Sequence, residues 1–271
     1  MEDRAEQYFK EGFDFFQHGN YTQALASCDK AIVINPNFAK AWNGRGSALA
    51  TLGKHSEALA SFDKAIAIDP DFAKAWNNHG LGLYNLGRYT EAVASYDKAI
   101  AIKSNYDEAW NNRGVALGEL GRHADALDSY CKAIVINPND AMEWNNHGWA
   151  LSNLGRHAEA LDSYDKAIAI NPNYPVAWIN RRNTLRVLGR HPEQVIADEA
   201  PSGDSGDSRQ IPLEVKAAVW ERDGGKCVIC GSTQQLEYDH NIPFSRGGSN
   251  TMNNIRILCI KCNRSKHAKI E

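Results

Sequence analysis

Residues 75–102 read AWNNHGLGLYNLGRYTEAVASYDKAIAI, and close variants of this stretch recur along most of the chain. Tryptophan returns every 34 residues, at Trp42, Trp76, Trp110, Trp144 and Trp178, and Tyr8 takes the same place one period earlier. A fixed period of about 20–50 residues is typical of arrays in which one small unit is stacked on the next. The stretch therefore predicts an array of repeated units.

Small residues keep the same period and divide each unit into two helices. One glycine set stands where a turn between two helices is expected: Gly19, Gly53, Gly87, Gly121, Gly155 and Gly189. A second set follows each aromatic residue by four positions, where a missing side chain lets helices approach: Gly12, Gly46, Gly80, Gly114 and Gly148. Alanine recurs in the second helix in two sets, at Ala24, Ala58, Ala92, Ala126 and Ala160 and at Ala31, Ala65, Ala99, Ala133 and Ala167.

These positions resemble the tetratricopeptide repeat (TPR), with a closing proline at Pro36, Pro70, Pro138 and Pro172 and Ser104 in its place in the third repeat. The resemblance implies five repeats over residues 5–174 and a partial sixth, a capping helix from Tyr174 to Gly189. Arg182 stands there in place of the packing glycine. The implied fold is mainly α, a right-handed solenoid whose concave groove binds peptides or partner proteins.

Paired asparagines follow three of the tryptophans: Asn77 and Asn78, Asn111 and Asn112, Asn145 and Asn146. In the TPR family this part of the first helix faces the groove, where amides can hydrogen-bond an extended peptide. Near-identical blocks such as SYDKAIAI at 95 and 163 point instead to copied repeats, in which shared asparagines need not reflect a ligand. Both readings stay open.

The remaining reactive residues of the repeats are expected to be structural. Cys28 and Cys131 fall singly in second helices and are interpreted as small core residues. Surface or turn roles are expected for seven histidines: His18, His55, His79, His123, His147, His157 and His191.

Composition indicates an ordinary globular protein of about two domains, with 271 residues, 43% apolar and 23% charged. The N-terminus MEDRAEQYFKEGFDFF lacks the features of a secretory signal, and no run approaches a membrane span. A cytoplasmic protein is therefore expected. Residues 1–210 hold 21 Lys and Arg against 27 Asp and Glu, a net charge of −6, so nucleic acid should bind elsewhere.

The composition changes after the repeats. Residues 192–210, PEQVIADEAPSGDSGDSRQ, read as a flexible acidic linker between a repeat domain at 1–191 and a second domain at 211–271. The second domain carries nine Lys and Arg against six Asp and Glu, a net charge of +3. A tether of this kind raises the local concentration of one domain around the ligand of the other.

Two C-x-x-C pairs predict a structural zinc site in the second domain: Cys227 with Cys230 and Cys259 with Cys262. Four thiolates are the ligand set of a closed tetrahedral zinc site. A domain of about 60 residues has little core of its own, so a metal staple is expected.

The residues between the cysteine pairs predict a strand in LEYDHNIP, a loop, a strand in NIRIL and a helix from CIKCNRSKHAK. They resemble the HNH endonuclease family, whose small α+β fold is called ββα-metal. The matching positions are Asp239, His240, Pro243, Gly247, Gly248, Asn254, Leu258, Cys259, Cys262 and Asn263.

The resemblance implies a role for each of these polar residues. His240 is the general base, Asp239 and Asn263 hold one Mg²⁺ or Mn²⁺, and Asn254 orients the loop that bears His240. The HNH pattern has histidine where Asn263 stands, and His267 could take its place as the ligand. Contacts to the nucleic-acid backbone are expected from Arg246, Arg264, Lys266 and His267.

Two functions follow from this organisation. The first is an endonuclease, with DNA favoured because the family mostly cuts it, whose TPR domain docks or senses a protein, a layout that would suit a bacterial defence effector. The second is an adaptor whose zinc domain binds nucleic acid and has lost cleavage. The filled catalytic positions favour the first, and Asn263 leaves the second open.

Overall fold

The computed structural model describes residues 2–189, 222, 236–240 and 255–259. The chain divides into two compact units, Met1–Leu154 and Gly155–Glu271. The first unit holds α1 (Glu2–Gln17), α2 (Tyr21–Ile34), α3 (Ala39–Thr51), α4 (His55–Ile68), α5 (Ala73–Asn85), α6 (Tyr89–Ile102), α7 (Asp107–Glu119), α8 (His123–Ile136) and α9 (Ala141–Asn153). The second holds α10 (His157–Ile170), α11 (Pro175–Val187), β1 (Leu236–His240) and β2 (Ile255–Cys259).

Successive helices of the first unit pack in pairs, α1 with α2 through α7 with α8, and each pair packs on the next. This arrangement, with α10 packed on α11 in the second unit, confirms the predicted solenoid of helix pairs. The predicted boundaries of the linker, residues 192–210, lie outside the described residues and stay predictions.

Glycine shapes both the turn and the packing of each pair. The six turn glycines all have positive φ, between 69° and 78°, a backbone conformation that other residues rarely adopt. Inside the pair, a Cβ added at Gly114 would lie only 2.5 Å from the ring of Tyr130. The missing side chain therefore lets α7 lie directly against the buried aromatic ring of α8.

The core of the second to fifth repeats is built from alanine and one large ring. The alanines of the two second-helix sets are at most 1% exposed, and Tyr96, Tyr130 and Tyr164 are equally buried. These aromatic rings recur every 34 residues with Phe62, and the first pair has the buried Cys28 at this position instead. Small residues around one ring allow close helix approach at normal packing density.

The periodic tryptophans join each first helix to the turn before it. Each indole Nε1 donates to the carbonyl six residues earlier, for example Trp76 to Pro70 at 2.9 Å and Trp110 to Ser104 at 3.0 Å. The acceptor is a backbone carbonyl, which explains why serine replaces proline in the third repeat without loss of the bond. Such a hydrogen bond stabilises the junction by about 1 kcal/mol.

The two strands form an antiparallel pair, with Leu236 opposite Cys259 and His240 opposite Ile255. The predicted strands in LEYDHNIP and NIRIL are confirmed, the second displaced by one residue. Among the described residues, no helix has the length and apolar character needed to cross a membrane.

Candidate functional sites

The β hairpin carries the described residues of the predicted nuclease site. His240 ends β1 and lies opposite Ile255, while Cys259 ends β2 and lies opposite Leu236. Asp239 is one step further inside β1. The register thus separates His240 from the predicted zinc ligand Cys259 by four residue steps along the strands, about 14 Å, and Asp239 by three steps, about 10 Å.

Asn254 directly precedes Ile255 in the chain, so the backbone partner of His240 is the neighbour of Asn254. The other predicted residues of this domain lie outside the described part of the chain: Cys227, Cys230, Cys262, Asn254, Asn263, Arg246, Arg264, Lys266 and His267. Within the described part, no group of three or more His, Cys, Asp or Glu could hold a metal ion. Both predicted metal sites require residues beyond it.

The paired asparagines of the repeats form a ladder of hydrogen bonds between neighbouring repeats. In each step, Nδ2 of the second asparagine of one pair donates to Oδ1 of an asparagine one repeat earlier. The distances are 2.9 Å for Asn78 to Asn43, 3.1 Å for Asn112 to Asn77 and 3.0 Å for Asn146 to Asn111. The ladder therefore ties the first helices of successive repeats together.

The ladder leaves the two members of a pair with different exposure. Asn77 is fully buried, and its Nδ2 donates to Oε1 of Glu108 at 3.2 Å. Asn111 and Asn145 are also buried. The half-buried members are Asn78, Asn112 and Asn146. A peptide-binding role for these six residues stays a prediction, and its accessible part is the half-buried set.

Family models match both parts of the chain. A TPR repeat model matches residues 12–53 and 80–121, and a tetratricopeptide repeat model matches 39–72, 107–140 and 141–174. An HNH endonuclease model matches residues 227–269. The chain is a TPR protein with a C-terminal HNH endonuclease domain. Both resemblances drawn from the sequence are confirmed.

Solved structures share the fold of the TPR domain. PilW, a type IV pilus biogenesis factor, is 21% identical, with 74% of this chain and 95% of that chain covered and a TM-score of 0.65. A thermophilic TPR protein from Thermus thermophilus is 19% identical, with coverages of 67% and 99% and a TM-score of 0.56. YrrB, titled a TPR protein with an unusual peptide-binding site, is 24% identical, with coverages of 65% and 90% and a TM-score of 0.54. No curated protein matches the chain.

A polar bridge that sequence reasoning missed connects the repeats of the TPR domain. Arg113 Nε donates to Oδ1 of Asp97 at 2.7 Å, and its Nη1 donates to Oγ of Ser129 at 2.7 Å. Arg45 makes the same pair of contacts two periods further back, to Asp29 and Ser61. The sequence does carry a signal for this bridge, because Arg45 and Arg113 both stand three positions after a periodic tryptophan.

In the repeat between them, histidine occupies the position of the bridging arginine. Nε2 of His79 lies 3.1 Å from Oδ1 of Asp63, and Nδ1 lies 2.9 Å from Oγ of Ser95. Burial lowers the pKa of His79, with the Asp63 carboxylate acting in the opposite direction. The side chain that makes the bridge at this repeat therefore carries less positive charge than the arginines at Arg45 and Arg113.

The two cysteines of the TPR domain have different environments, and the core prediction for Cys131 is wrong. Cys28 is buried under Gly12, and burial raises the pKa of its thiol to about 11. Cys131 is exposed, because it lies in the 34-residue series of the bridging aspartates Asp63 and Asp97 rather than in the series of the buried rings.

The junction of the fourth and fifth repeats departs from the others at two positions, one half-buried and one buried. Asp140 stands where the other repeats have Phe38, Phe72, Tyr106 and Tyr174, and Glu143 stands where they have Ala41, Ala75, Ala109 and Ala177. Alignment of the repeats on their tryptophans would have found both. Glu143 is only 2% exposed.

Proposed function

We propose that the chain is a metal-dependent endonuclease that hydrolyses phosphodiester bonds in nucleic acid, with DNA favoured. The observation that carries the proposal is the HNH match over residues 227–269, within which β1 ends at His240. Neighbouring residues of a regular strand face opposite sides, so a site shared by Asp239 and His240 requires the strand geometry to end there. The end of β1 at His240 supports that requirement.

The proposed roles follow the chemistry of the side chains. His240 accepts a proton from the attacking water, because an imidazole near neutral pH is a suitable general base. Asp239 and Asn263 offer the oxygen ligands that Mg²⁺ or Mn²⁺ prefers. When bound there, such an ion supplies positive charge for the scissile phosphate. Asn254, next to the partner of His240 in β2, positions the loop that bears the base.

We assign the cysteines Cys227, Cys230, Cys259 and Cys262 to a structural Zn²⁺. Their thiolates suit tetrahedral zinc, and Cys259 at the far end of the hairpin keeps that ligand about 14 Å from His240 along the strands. Contacts to phosphate are assigned to Arg246, Arg264, Lys266 and His267.

The TPR domain is proposed to dock a protein or peptide and so to direct the nuclease. Its fold is shared with YrrB, a TPR protein with an unusual peptide-binding site. Residues 1–210 carry a net charge of −6, which disfavours nucleic acid. The acidic segment 192–210 would then bring the HNH domain to nucleic acid near the docked protein. Action in bacterial defence is one setting that this layout suits.

Cleavage assays test the nuclease proposal directly. Supercoiled plasmid and labelled RNA are incubated with the full chain and Mg²⁺, Mn²⁺ or EDTA. We expect metal-dependent cutting of plasmid that falls by at least about 100-fold in His240→Ala, because loss of a general base costs about that much. His18→Ala is the matched control, since His18 directly follows α1, outside the proposed site.

Equal cutting by His240→Ala and His18→Ala would contradict the proposed base. A zinc-loaded chain that cuts neither plasmid nor RNA would contradict the nuclease itself and favour the adaptor that binds nucleic acid without cleavage.

A further inference from the structure

The hairpin of β1 and β2 has two faces of different chemistry. Successive residues of a strand alternate between the faces, and residues directly opposite each other in an antiparallel pair share one face. By the register, one face carries six residues, most of them apolar: Leu236, Tyr238, His240, Ile255, Ile257 and Cys259. The other face carries Glu237, Asp239, Arg256 and Leu258. Asp239, the proposed metal ligand, therefore belongs to the charged face.

Arg256 lies directly opposite Asp239 in this register. It is the only lysine or arginine in the two strands, Leu236–His240 and Ile255–Cys259. The Cβ atoms of residues opposite each other in an antiparallel pair are about 4.5–5.5 Å apart, a distance that an arginine side chain spans easily. The register therefore pairs the proposed metal ligand with the one base of the hairpin.

The simplest role of a cross-strand Asp–Arg pair is to stabilise the hairpin. The ligand role proposed for Asp239 gives the arginine a further partner. A phosphate that reaches an ion at Asp239 approaches the face on which Arg256 lies, and guanidinium groups bind phosphate oxygens through paired, charged hydrogen bonds. With the charge of Asp239 balanced by the ion, Arg256 is available for the phosphate.

We propose that Arg256 binds a phosphate of the nucleic acid beside the metal ion held by Asp239. The inference rests on the proposed nuclease function and adds a phosphate-binding residue opposite the metal ligand. Its positive charge repels a divalent ion and competes for the Asp239 carboxylate, so Arg256 should weaken metal binding while it strengthens nucleic-acid binding. A residue that only holds the hairpin together would strengthen both.

Metal affinity of the zinc-loaded full chain gives the first readout, with free Mn²⁺ followed by electron paramagnetic resonance and no nucleic acid present. Asp239→Asn identifies the part of the binding that belongs to the proposed site. We expect Arg256→Gln to bind Mn²⁺ at that site about two- to fivefold more tightly, the scale of one exposed charge pair, and Arg256→Lys to bind it like the wild type. Arg4→Gln, which removes an exposed positive charge from α1, should change neither this affinity nor the next.

Nucleic-acid affinity gives the second readout. It is measured by fluorescence anisotropy of a labelled DNA duplex at saturating Mn²⁺, in the His240→Ala background, where cutting is suppressed. Arg256→Gln should weaken binding about two- to fivefold and reduce the slope of log K against log salt by about one, as expected for the loss of one phosphate contact. Arg256→Lys keeps the charge and should keep the slope.

Tighter Mn²⁺ binding together with weaker DNA binding in Arg256→Gln would support the proposal. Unchanged or weaker Mn²⁺ binding, or an unchanged salt slope, would overturn it. Zinc content checks the fold, and Arg256→Thr, with a residue of higher strand propensity, replaces the glutamine variant if that one loses zinc. Mn²⁺ binding that Asp239→Asn leaves intact would overturn the metal site of the nuclease proposal as well, so the two failures are distinguishable without any measurement of cleavage.

Discussion

Individual residues of the TPR domain decide how strongly its repeats are joined. Arg45 and Arg113 each bridge an aspartate and a serine on different helices. His79 makes the same bridge, but burial lowers its pKa and so favours the uncharged form of the ring. The repeats share the same arrangement of helices, and this bridging side chain is one of the positions at which their junctions differ. The free energy of unfolding of the TPR domain should therefore fall with decreasing pH through the repeat junction that holds His79.

His79→Arg should reduce the sensitivity of the TPR domain to acid. Because burial lowers the pKa of His79 in the folded chain, the unfolded chain binds the proton better. The stability contribution is full above about pH 6.5, the ordinary value for histidine, and falls as pH drops toward the folded pKa. Urea unfolding at pH 7 and pH 5 should show a smaller loss for His79→Arg, with up to about 1 kcal/mol gained at pH 7.

Arg45→His is the reciprocal control. It places a histidine in an arginine bridge to Asp29 and Ser61, and we expect it to acquire the acid sensitivity that His79→Arg loses. Identical changes between pH 7 and pH 5 in the wild type and both variants would contradict this account of the bridge.

At the scale of the helix, the spacing between the two helices of a pair depends on a glycine beneath an aromatic ring. Gly46, Gly80 and Gly114 would each place an added Cβ less than 3.0 Å from the ring of the second helix. Gly82, on the same first helix as Gly80, would place it 3.6 Å from Leu59, an ordinary contact. The four glycines share a helical setting and differ in the space around them.

Gly114→Ala should destabilise the TPR domain, because the methyl group would meet Tyr130 at 2.5 Å and force α7 away from α8. Overpacking of this kind costs about 1–3 kcal/mol. Gly82→Ala is the matched variant, expected to be neutral or to gain up to about 1 kcal/mol from the better helix propensity of alanine. Equal urea midpoints for the two variants would show that the ring does not limit the approach of the helices.

At the scale of the whole molecule, the chain joins an acidic part, made of the repeats and the segment that follows them, to a smaller basic segment. Residues 1–210 carry a net charge of −6 and residues 211–271 a net charge of +3. The larger part has its own buried core in every repeat, whereas the smaller one is expected to depend on zinc. The two parts should therefore respond differently to metal removal.

Cys259→Ser should remove zinc from the HNH domain and leave the TPR domain folded. Loss of one of four thiolates opens the tetrahedral site, and a segment of about 60 residues lacks a core large enough to compensate. Zinc content and limited proteolysis report on the HNH domain, while far-UV circular dichroism reports on the helices of the TPR domain. Cys131→Ser, a change at an exposed cysteine of the TPR domain, is the control.

Wild-type zinc content in Cys259→Ser would rule out the proposed ligand set. A lower unfolding temperature of the helices in the same variant would instead show that the TPR domain depends on the metal.

The sequence by itself determined the period of 34, the helix pairs, the turn glycines and the buried alanines. The period is read from recurrence along the chain, and the other features depend on residues a few positions apart in one helix or turn, so the sequence pattern predicts them. The strands around His240 and Cys259 were also predicted, to within one residue, because the apolar runs and flanking turn residues are local signals.

Only the tertiary structure decided which polar side chains are available. Asn77 and Asn78 are adjacent in sequence, yet one is fully buried and the other half-buried, because their surroundings come from helices one repeat away. Cys131 was wrongly placed in the core for the same reason. The replacement of alanine by Glu143 is visible when the repeats are aligned, and only its burial depends on the tertiary structure. Exposure and hydrogen bonding depend on contacts between residues about 31–35 positions apart, which the stacking of repeats creates and no local pattern specifies.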